Sequence, residues 1–428
     1  MYKISKSLSN SLREISKLNY KKNTLPNGIR IVSEKMESVR SVSIGVWINV
    51  GSQNETESEN GISHFAEHIV FKGTKNFSQK KISQSIEEIG GYINAFTTKE
   101  HTCYFAKVLD EHIEKAIAVL SDLIQFPKLK TEEIEKEKKV VIEEIKSGED
   151  DSEDLSQELI EKEIFPNHPI GNPISGTKQS VENFTKKNVT SFLHNNYYGE
   201  SIVISIAGNF NYTKVLNLIS KYFSSIQKNG KEKKLLPEIL NYSPKTIEIE
   251  KPIAQSHIVI ANKTCGLDDK RRYSLLFLNN ILGEGMSSRL FQSVREKFGF
   301  AYSIYSYINL MKIAGIFGVY FATDKNNIEK SIDVIEKEFK KLCKIKISET
   351  ELERTKTQIK GSILLGLEST SNRMMRLGGD EIYFERRTDL DEIAQQIDAV
   401  SSSTILETAK EFLNWEKFFK VILKSELK

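Results

Sequence analysis

The sequence predicts an α+β protein built from two similar halves, and three observations carry that prediction. Short alternating runs of β-branched and aromatic residues are interleaved with longer segments of helical periodicity. Beyond a polar stretch near the middle of the chain, the same order of elements returns. Words of sequence return with it. Tyr104-Phe105-Ala106 recurs as Tyr320-Phe321-Ala322, and "IEKAI" at 113–117 recurs as "IEKSI" at 328–332. "EEIEKEKKVVIEEI" (132–145) lines up with "TELERTKTQIKGSI" (350–363). The offsets differ by only a few residues, as an internal duplication of about 200 residues would produce.

Taken in order, "LPNGIRIVSEK" (25–35) sets a Pro-Asn-Gly turn before alternating apolar residues and starts a hairpin strand. "VSIGVWINVGS" (42–52) is a second strand. "SQKKISQSIEEIG" (78–90) has helical periodicity and stops at Gly90-Gly91. "YINAFTTKEHTCYFAKV" (92–108) reads as one long or two short strands, 110–125 and 131–147 as amphipathic helices, and "SIVISIAGN" (201–209) as another strand. From 224 to 245 the pattern lapses into a polar, basic stretch with a Gly and two prolines, the expected linker. The chain thus divides into an N-terminal extension (1–21), a first domain (22–225), a linker (226–243) and a second domain (244–428).

Composition narrows the function classes. With 428 residues, two or three full-sized domains are expected, and 39% hydrophobic with 28% charged residues fits a globular chain. A net charge of +3 gives no reason to expect nucleic-acid binding or a charged membrane surface as partner. The odd, widely spaced Cys103, Cys265 and Cys343 speak against a disulfide framework and for a reducing compartment. No apolar run reaches the roughly 18–20 residues of a membrane helix. In the extension, Ile4, Leu8, Leu12 and Ile15 fall at helical spacing among Lys and Ser. That pattern fits a short docked amphipathic helix, and it also resembles a mitochondrial transit peptide.

The chemistry concentrates in "GISHFAEHIVFKGT" (61–74). Helix positions four apart lie on one face, so His64 and His68 can aim two imidazoles at one ion, with Glu67 bordering the same face. Imidazole suits zinc, and a catalytic zinc takes three protein ligands and keeps one position for water. One ligand is therefore missing, and a carboxylate is expected. The helix at 131–147 offers Glu133, Glu135, Glu137, Glu143 and Glu144. Glu137 and Glu144 are two turns apart and share a face. Glu144 is the expected ligand and Glu137 its supporting neighbour, with Glu143 a rival that spacing does not remove. The duplication is chemically unequal: Glu137 pairs with Thr355, Glu144 with Ser362, and no histidine stands at 271–285.

HxxEH is the inverted form of the HExxH zinc-protease motif. With a Glu well downstream of it, and with "NGIRIV", "GSQNET", "GGYINAFTTKEHTCYF" and "REKFGFAYSIYSY", residues 22–425 resemble the pitrilysin-type (M16) metallopeptidases. Within these the chain is most similar to the subfamily of the mitochondrial processing peptidase β subunit and its bacterial relatives. The resemblance implies a clam-shell of two homologous domains, each an antiparallel-rich mixed β-sheet flanked by helices, around a peptide cleft. It implies one Zn²⁺ per chain on His64, His68 and Glu144, Glu67 as general base, and Glu137 as a supporting carboxylate. Arg295 and Tyr302 match an Arg and a Tyr seven residues apart that reach the active site from the second half. The edge strand near Asn94, Ala95 and Phe96 would pair with an extended peptide. Acids 10 and 14 residues past the zinc glutamate, here Asp154 and Glu158, would read a basic residue. "LGEGMSSRLFQ" (282–292) resembles the glycine-rich loop of the processing peptidase α subunit.

The function expected on these grounds is that of a zinc endopeptidase acting on extended or presequence-like peptides. It would be self-sufficient in one chain or a homodimer, without stable membrane insertion, in a bacterial cytoplasm or alternatively a mitochondrial matrix. Its rivals are a catalytically silent scaffold of the same fold and a subunit that captures peptides without cutting them.

Overall fold

The computed structural model describes residues 19–230 and 236–427. The amphipathic spacing from Ile4 to Ile15 lies outside the described residues.

The first half opens with the hairpin β1 (Asn19–Thr24) and β2 (Arg30–Lys35), whose turn places Gly28 at φ +87°. Then come β3 (Ser41–Ile48), α1 (Ile62–Val70), α2 (Gln79–Glu87), β4 (Tyr92–Thr97) and β5 (Thr102–Leu109). The stretch 92–108 is therefore two strands, turned through residues 98–101. Helices α3 (Ile113–Gln125), α4 (Thr131–Asp150), α5 (Ser152–Ile164), α6 (Lys178–Glu182) and α7 (Lys186–Asn196) lead to β6 (Ile202–Gly208) and α8 (Tyr212–Phe223). The sheet runs β1-β2-β6-β3-β5-β4, parallel only between β2 and β6. Its central strand β3 is buried from Val42 to Ile48, which is why it reads as a continuous apolar run. Helix α3 lays Ile113, Ala116, Ile117, Leu120, Leu123 and Ile124 on the core side, the spacing of one helical face.

Residues 224–230 and 236–245 carry no helix or strand, and the second half follows them. It comprises β7 (Thr246–Lys251), β8 (Ser256–Thr264), α9 (Arg272–Gly283), β9 (Ala301–Leu310) and β10 (Gly315–Thr323). It ends with α10 (Ile328–Lys344), α11 (Glu349–Gly366), α12 (Thr370–Phe384), α13 (Leu390–Ala399), α14 (Ser402–Phe412) and β11 (Phe419–Ser425). Its sheet runs β7-β11-β8-β10-β9, with β7 and β11 the parallel pair. Position for position this repeats β2-β6-β3-β5-β4. The recurring Tyr-Phe-Ala words sit on β5 and β10, and the recurring helix words open α3 and α10.

The halves exchange a helix. Helix α5 of the first half packs on β8 and β11 of the second, where Ile160, Ile164 and Phe165 join Val259, Ala261 and Val421 in one buried cluster. Helix α12 of the second half packs on β2, β3 and β6 of the first, where Met374, Leu377 and Ile382 meet Val32, Trp47, Cys103 and Val203. Each sheet thus borrows the cover of its outer face from the other half. Buried polar links follow the same route: Arg373 pairs with Glu34, and Glu100 accepts from the Tyr383 hydroxyl at 2.7 Å and from the Lys312 amide at 2.9 Å. No helix among the described residues is long and apolar enough to cross a membrane.

Candidate metal centre

Helix α1 is only nine residues long and buries Ile62, Phe65, Ala66, Ile69 and Val70. That apolar face turns His64, Glu67 and His68 toward the opposite side, where α4 passes. The Nε2 of His64 is 3.6 Å from Glu144 Oε1, and the Nε2 of His68 is 3.5 Å from Glu144 Oε2. All three ligand atoms lie within 4.8 Å of one another. These separations exceed a hydrogen bond. They are close to the roughly 3.3 Å that separates two ligands each 2.0–2.1 Å from a tetrahedral zinc ion.

The remaining nitrogens complete the fit. His68 Nδ1 is 2.9 Å from Glu137 Oε1, so the carboxylate holds the proton on Nδ1 and leaves the Nε2 lone pair for an ion. Glu137 is buried, and its other oxygen takes Lys72 Nζ at 2.7 Å. Burial pushes its carboxyl up, but His68 and Lys72 together hold it below the ordinary glutamate value. Burial pushes His68 down, yet the hydrogen bond it donates to Glu137 and the nearby carboxylates carry it above the ordinary histidine value. His64, pushed down to about 4 by burial and by His68, is the neutral imidazole that a metal requires. Its Nδ1 is buried without a hydrogen-bond partner among the described residues. Two imidazole nitrogens and a carboxylate converge without bonding one another, and this donor set fits zinc. Glu143 drops out as a ligand: it is exposed and tied to Lys146 at 2.6 Å.

Glu67 lies beside the trio, mostly buried, and burial raises its carboxyl. The hydroxyl of Thr97, at the end of β4, donates to its Oε2 at 2.6 Å. Thr97 and Lys72 were not anticipated, although the first lies in "NAFTTKEHT" and the second four residues past His68. An open cleft of about 830 Å³ joins His64, Glu67, His68 and Glu144 to Ala95 and Phe96 of β4 and to Asp154 and Glu158 of α5. Burial raises both of these acids. Strand β4 is an edge strand of its sheet. Asn94 is exposed on it, and its Oδ1 accepts from the Ala95 amide at 2.9 Å instead of lining the cleft.

The structure places Arg295 and Tyr302 outside the lining of this cleft. They stand on the second half, Arg295 in the π-helical turn Phe291–Lys297 and Tyr302 on the edge strand β9. The guanidinium sits over the rings of Phe291 and Tyr302, 4.8 and 4.9 Å from their centroids, and Tyr302 is 74% exposed. Neither lines the cleft that holds the histidines.

Fold and motif together define a class: a duplicated α+β protein with one inverted zinc-protease motif in its first half. Comparison with known proteins agrees. The family model of the insulinases (peptidase family M16) matches residues 30–178, and that of the M16 inactive domain matches residues 183–359. A Bacillus subtilis (strain 168) protein named as the uncharacterized zinc protease YmxG is 40% identical over 391 residues, covering 91% of this chain and 95% of its own. A protein of Mycobacterium leprae (strain TN), also named as an uncharacterized zinc protease, is 34% identical over 394 residues, covering 91% and 88%. The crystal structure of a protease from Helicobacter pylori superposes with a TM-score of 0.89 at 24% identity, over 95% of this chain and 99% of that one. The chain belongs to the M16 (insulinase) peptidase family.

Proposed function

We propose that this protein is a zinc endopeptidase that cuts extended peptides, presequence-like segments among them. The observation that carries the reading is the convergence of His64, His68 and Glu144 beside Glu67, inside a cleft bounded by an edge strand. Zinc held by those three side chains supplies a Lewis acid for the scissile carbonyl and lowers the pKa of water. Glu67, held by Thr97 and raised by burial, is placed to take the proton of the attacking water and return it to the leaving amine. The backbone of β4 offers an extended peptide a strand to pair with, which binds main chain and leaves selectivity to pockets. Asp154 and Glu158, on the cleft wall, favour a basic residue there. The bacterial relatives and the absence of paired cysteines support a place in a bacterial cytoplasm.

Metal analysis combined with turnover of a quenched peptide, with and without a chelator, tests the reading. The expected result is about one zinc per chain and hydrolysis that the chelator stops and zinc restores. Glu67→Gln keeps the zinc and loses about 10²–10⁴-fold in rate. Metal-replete protein that binds the peptide without cutting it would instead be the capture subunit, and protein that does neither would be the scaffold. An Arg-containing peptide should be cut faster than its Ala analogue, and equal rates would remove the roles of Asp154 and Glu158.

A further inference from the structure

The nine-residue helix that bears both histidines is too short to hold itself. Its first amides need acceptors, and the residue at its N-cap cannot provide one. That residue is Gly61, at φ +91°, and a Cβ there would stand 2.5 Å from the Ser175 carbonyl oxygen and 2.7 Å from Gly176 Cα. A side chain that could cap the helix is therefore excluded from the position where capping residues normally sit.

Glu55 fills the gap from six residues upstream. Its Oε2 accepts the Gly61 amide and its Oε1 the Ser63 amide, each at 2.7 Å, the latter one residue before His64. The Asn60 carboxamide also donates to Oε2, at 3.3 Å, and at 2.9 Å to the carbonyl of Pro173. Pro173 begins the segment 173–178 that walls the cleft. The side chain is 7% exposed, so water does not compete for these bonds; burial pushes the carboxyl up to about 7 against the pull of the Ser63, Gly61 and Asn60 donors, and above that pH it is an anion at a helix N-terminus, where the helix dipole favours it.

The second half provides a comparison. Its corresponding helix, α9, has no histidine, and the carboxylate at its start, Asp269, accepts the Arg271 amide at 2.8 Å but is partly exposed and shared with the Arg271 guanidinium. The buried capping carboxylate, like the metal-ligating set, belongs to the first half.

We propose that Glu55 is a positioning residue of the metal centre: by gathering the leading amides of α1 it fixes where His64 and His68 stand, and through Asn60 it separately holds the cleft wall at Pro173. The inference rests on the proposed zinc site.

The test compares wild type, Glu55→Gln and Asn60→Ala by zinc competition against a chelating dye, by the visible spectrum of the Co²⁺-loaded protein, and by peptide turnover. Glutamine keeps the shape, loses the charge, and turns an NH₂ group toward an amide that needs an acceptor. Glu55→Gln should weaken zinc about ten- to a hundredfold, as loss of a residue supporting a ligand does, and should change the Co²⁺ spectrum. Asn60→Ala, which leaves the carboxylate on the helix amides, should keep zinc affinity and raise KM. A merely structural Glu55 would lower the melting temperature and leave the zinc affinity and Co²⁺ spectrum of the folded protein unchanged. That result overturns the proposal. Should Glu55→Gln not fold, Glu55→Asp, charged but one methylene short, carries the same comparison. Wild type that binds no zinc would sink the site reading itself, a result distinct from a variant that binds as tightly as wild type.

Discussion

Glu137 and His68 meet at 2.9 Å through Oε1 and Nδ1, and this contact decides which imidazole nitrogen faces the cleft. A carboxylate on Nδ1 holds the proton there and makes Nε2 the more basic donor. Glu137→Gln keeps the volume, but its amide can turn a donor toward Nδ1 and leaves Lys72 without its anion. Zinc affinity should fall about ten- to a hundredfold, with the helices intact. Zinc titration monitored by competition, alongside circular dichroism, reads both. Unchanged affinity would mean that Glu137 serves Lys72 alone.

Glu143 and Glu144 are adjacent on α4 and acidic, but only one faces the histidines. Glu144→Gln should strip zinc and hydrolysis together. Glu143→Gln breaks only an exposed, solvent-screened pair with Lys146 and should leave both unchanged. Metal content after dialysis distinguishes them, and loss of zinc in the Glu143 variant would reverse the assignment.

What the sequence reveals of this site follows from distance along the chain. His64, Glu67 and His68 are legible because a helix fixes the relation of positions three and four apart. Glu144 lies on another helix, so spacing narrows it to a pair, and only packing shows that Glu143 turns outward to Lys146. Thr97 is one hydroxyl among several in its strand and turn, and nothing local marks it as the partner of Glu67. The repeat announces two equivalent sheets, and the strand orders agree. The exchange of α5 and α12 stays hidden, because the apolar stripe of an amphipathic helix says that a face is buried without saying against what. Arg295 and Tyr302 match a family pattern seven residues apart, and here the guanidinium lies over the Tyr302 ring.

The exchanged helix gives a sharp packing prediction. Gly378 and Gly379 are neighbours on α12, yet a Cβ at 378 would stand 2.1 Å from Trp47 Nε1, whereas one at 379 meets nothing within 4 Å. The Trp47 ring is buried and its Nε1 donates to Ser205 at 2.8 Å, so it cannot swing aside cheaply. Gly379→Ala should gain up to about 1 kcal/mol from helix propensity. Gly378→Ala should lose about 1–3 kcal/mol by overpacking the joint between the halves. Guanidinium denaturation of both variants checks the opposite signs, and a stabilised Gly378→Ala would show that α12 does not press on Trp47.

Acid should weaken the same joint. His101, in the turn between β4 and β5, packs against the rings of Trp47, Phe96 and Tyr383, with Glu100 beside it. Burial pushes it down to about 4, against an ordinary value near 6.5. Above 6.5 the imidazole is neutral folded and unfolded, and its contribution to stability is fully present. As pH falls from 6.5 toward 4, the unfolded chain takes up a proton that the folded chain refuses, so stability is lost at up to about 1.4 kcal/mol per pH unit. His101→Gln removes this titration whatever its own cost. Between pH 7 and pH 5, urea denaturation should show wild type losing about 1–2 kcal/mol more than the variant, since the lowered value spans most of that window. Parallel losses in the two proteins would mean that water reaches His101 and the turn is not sealed by α12.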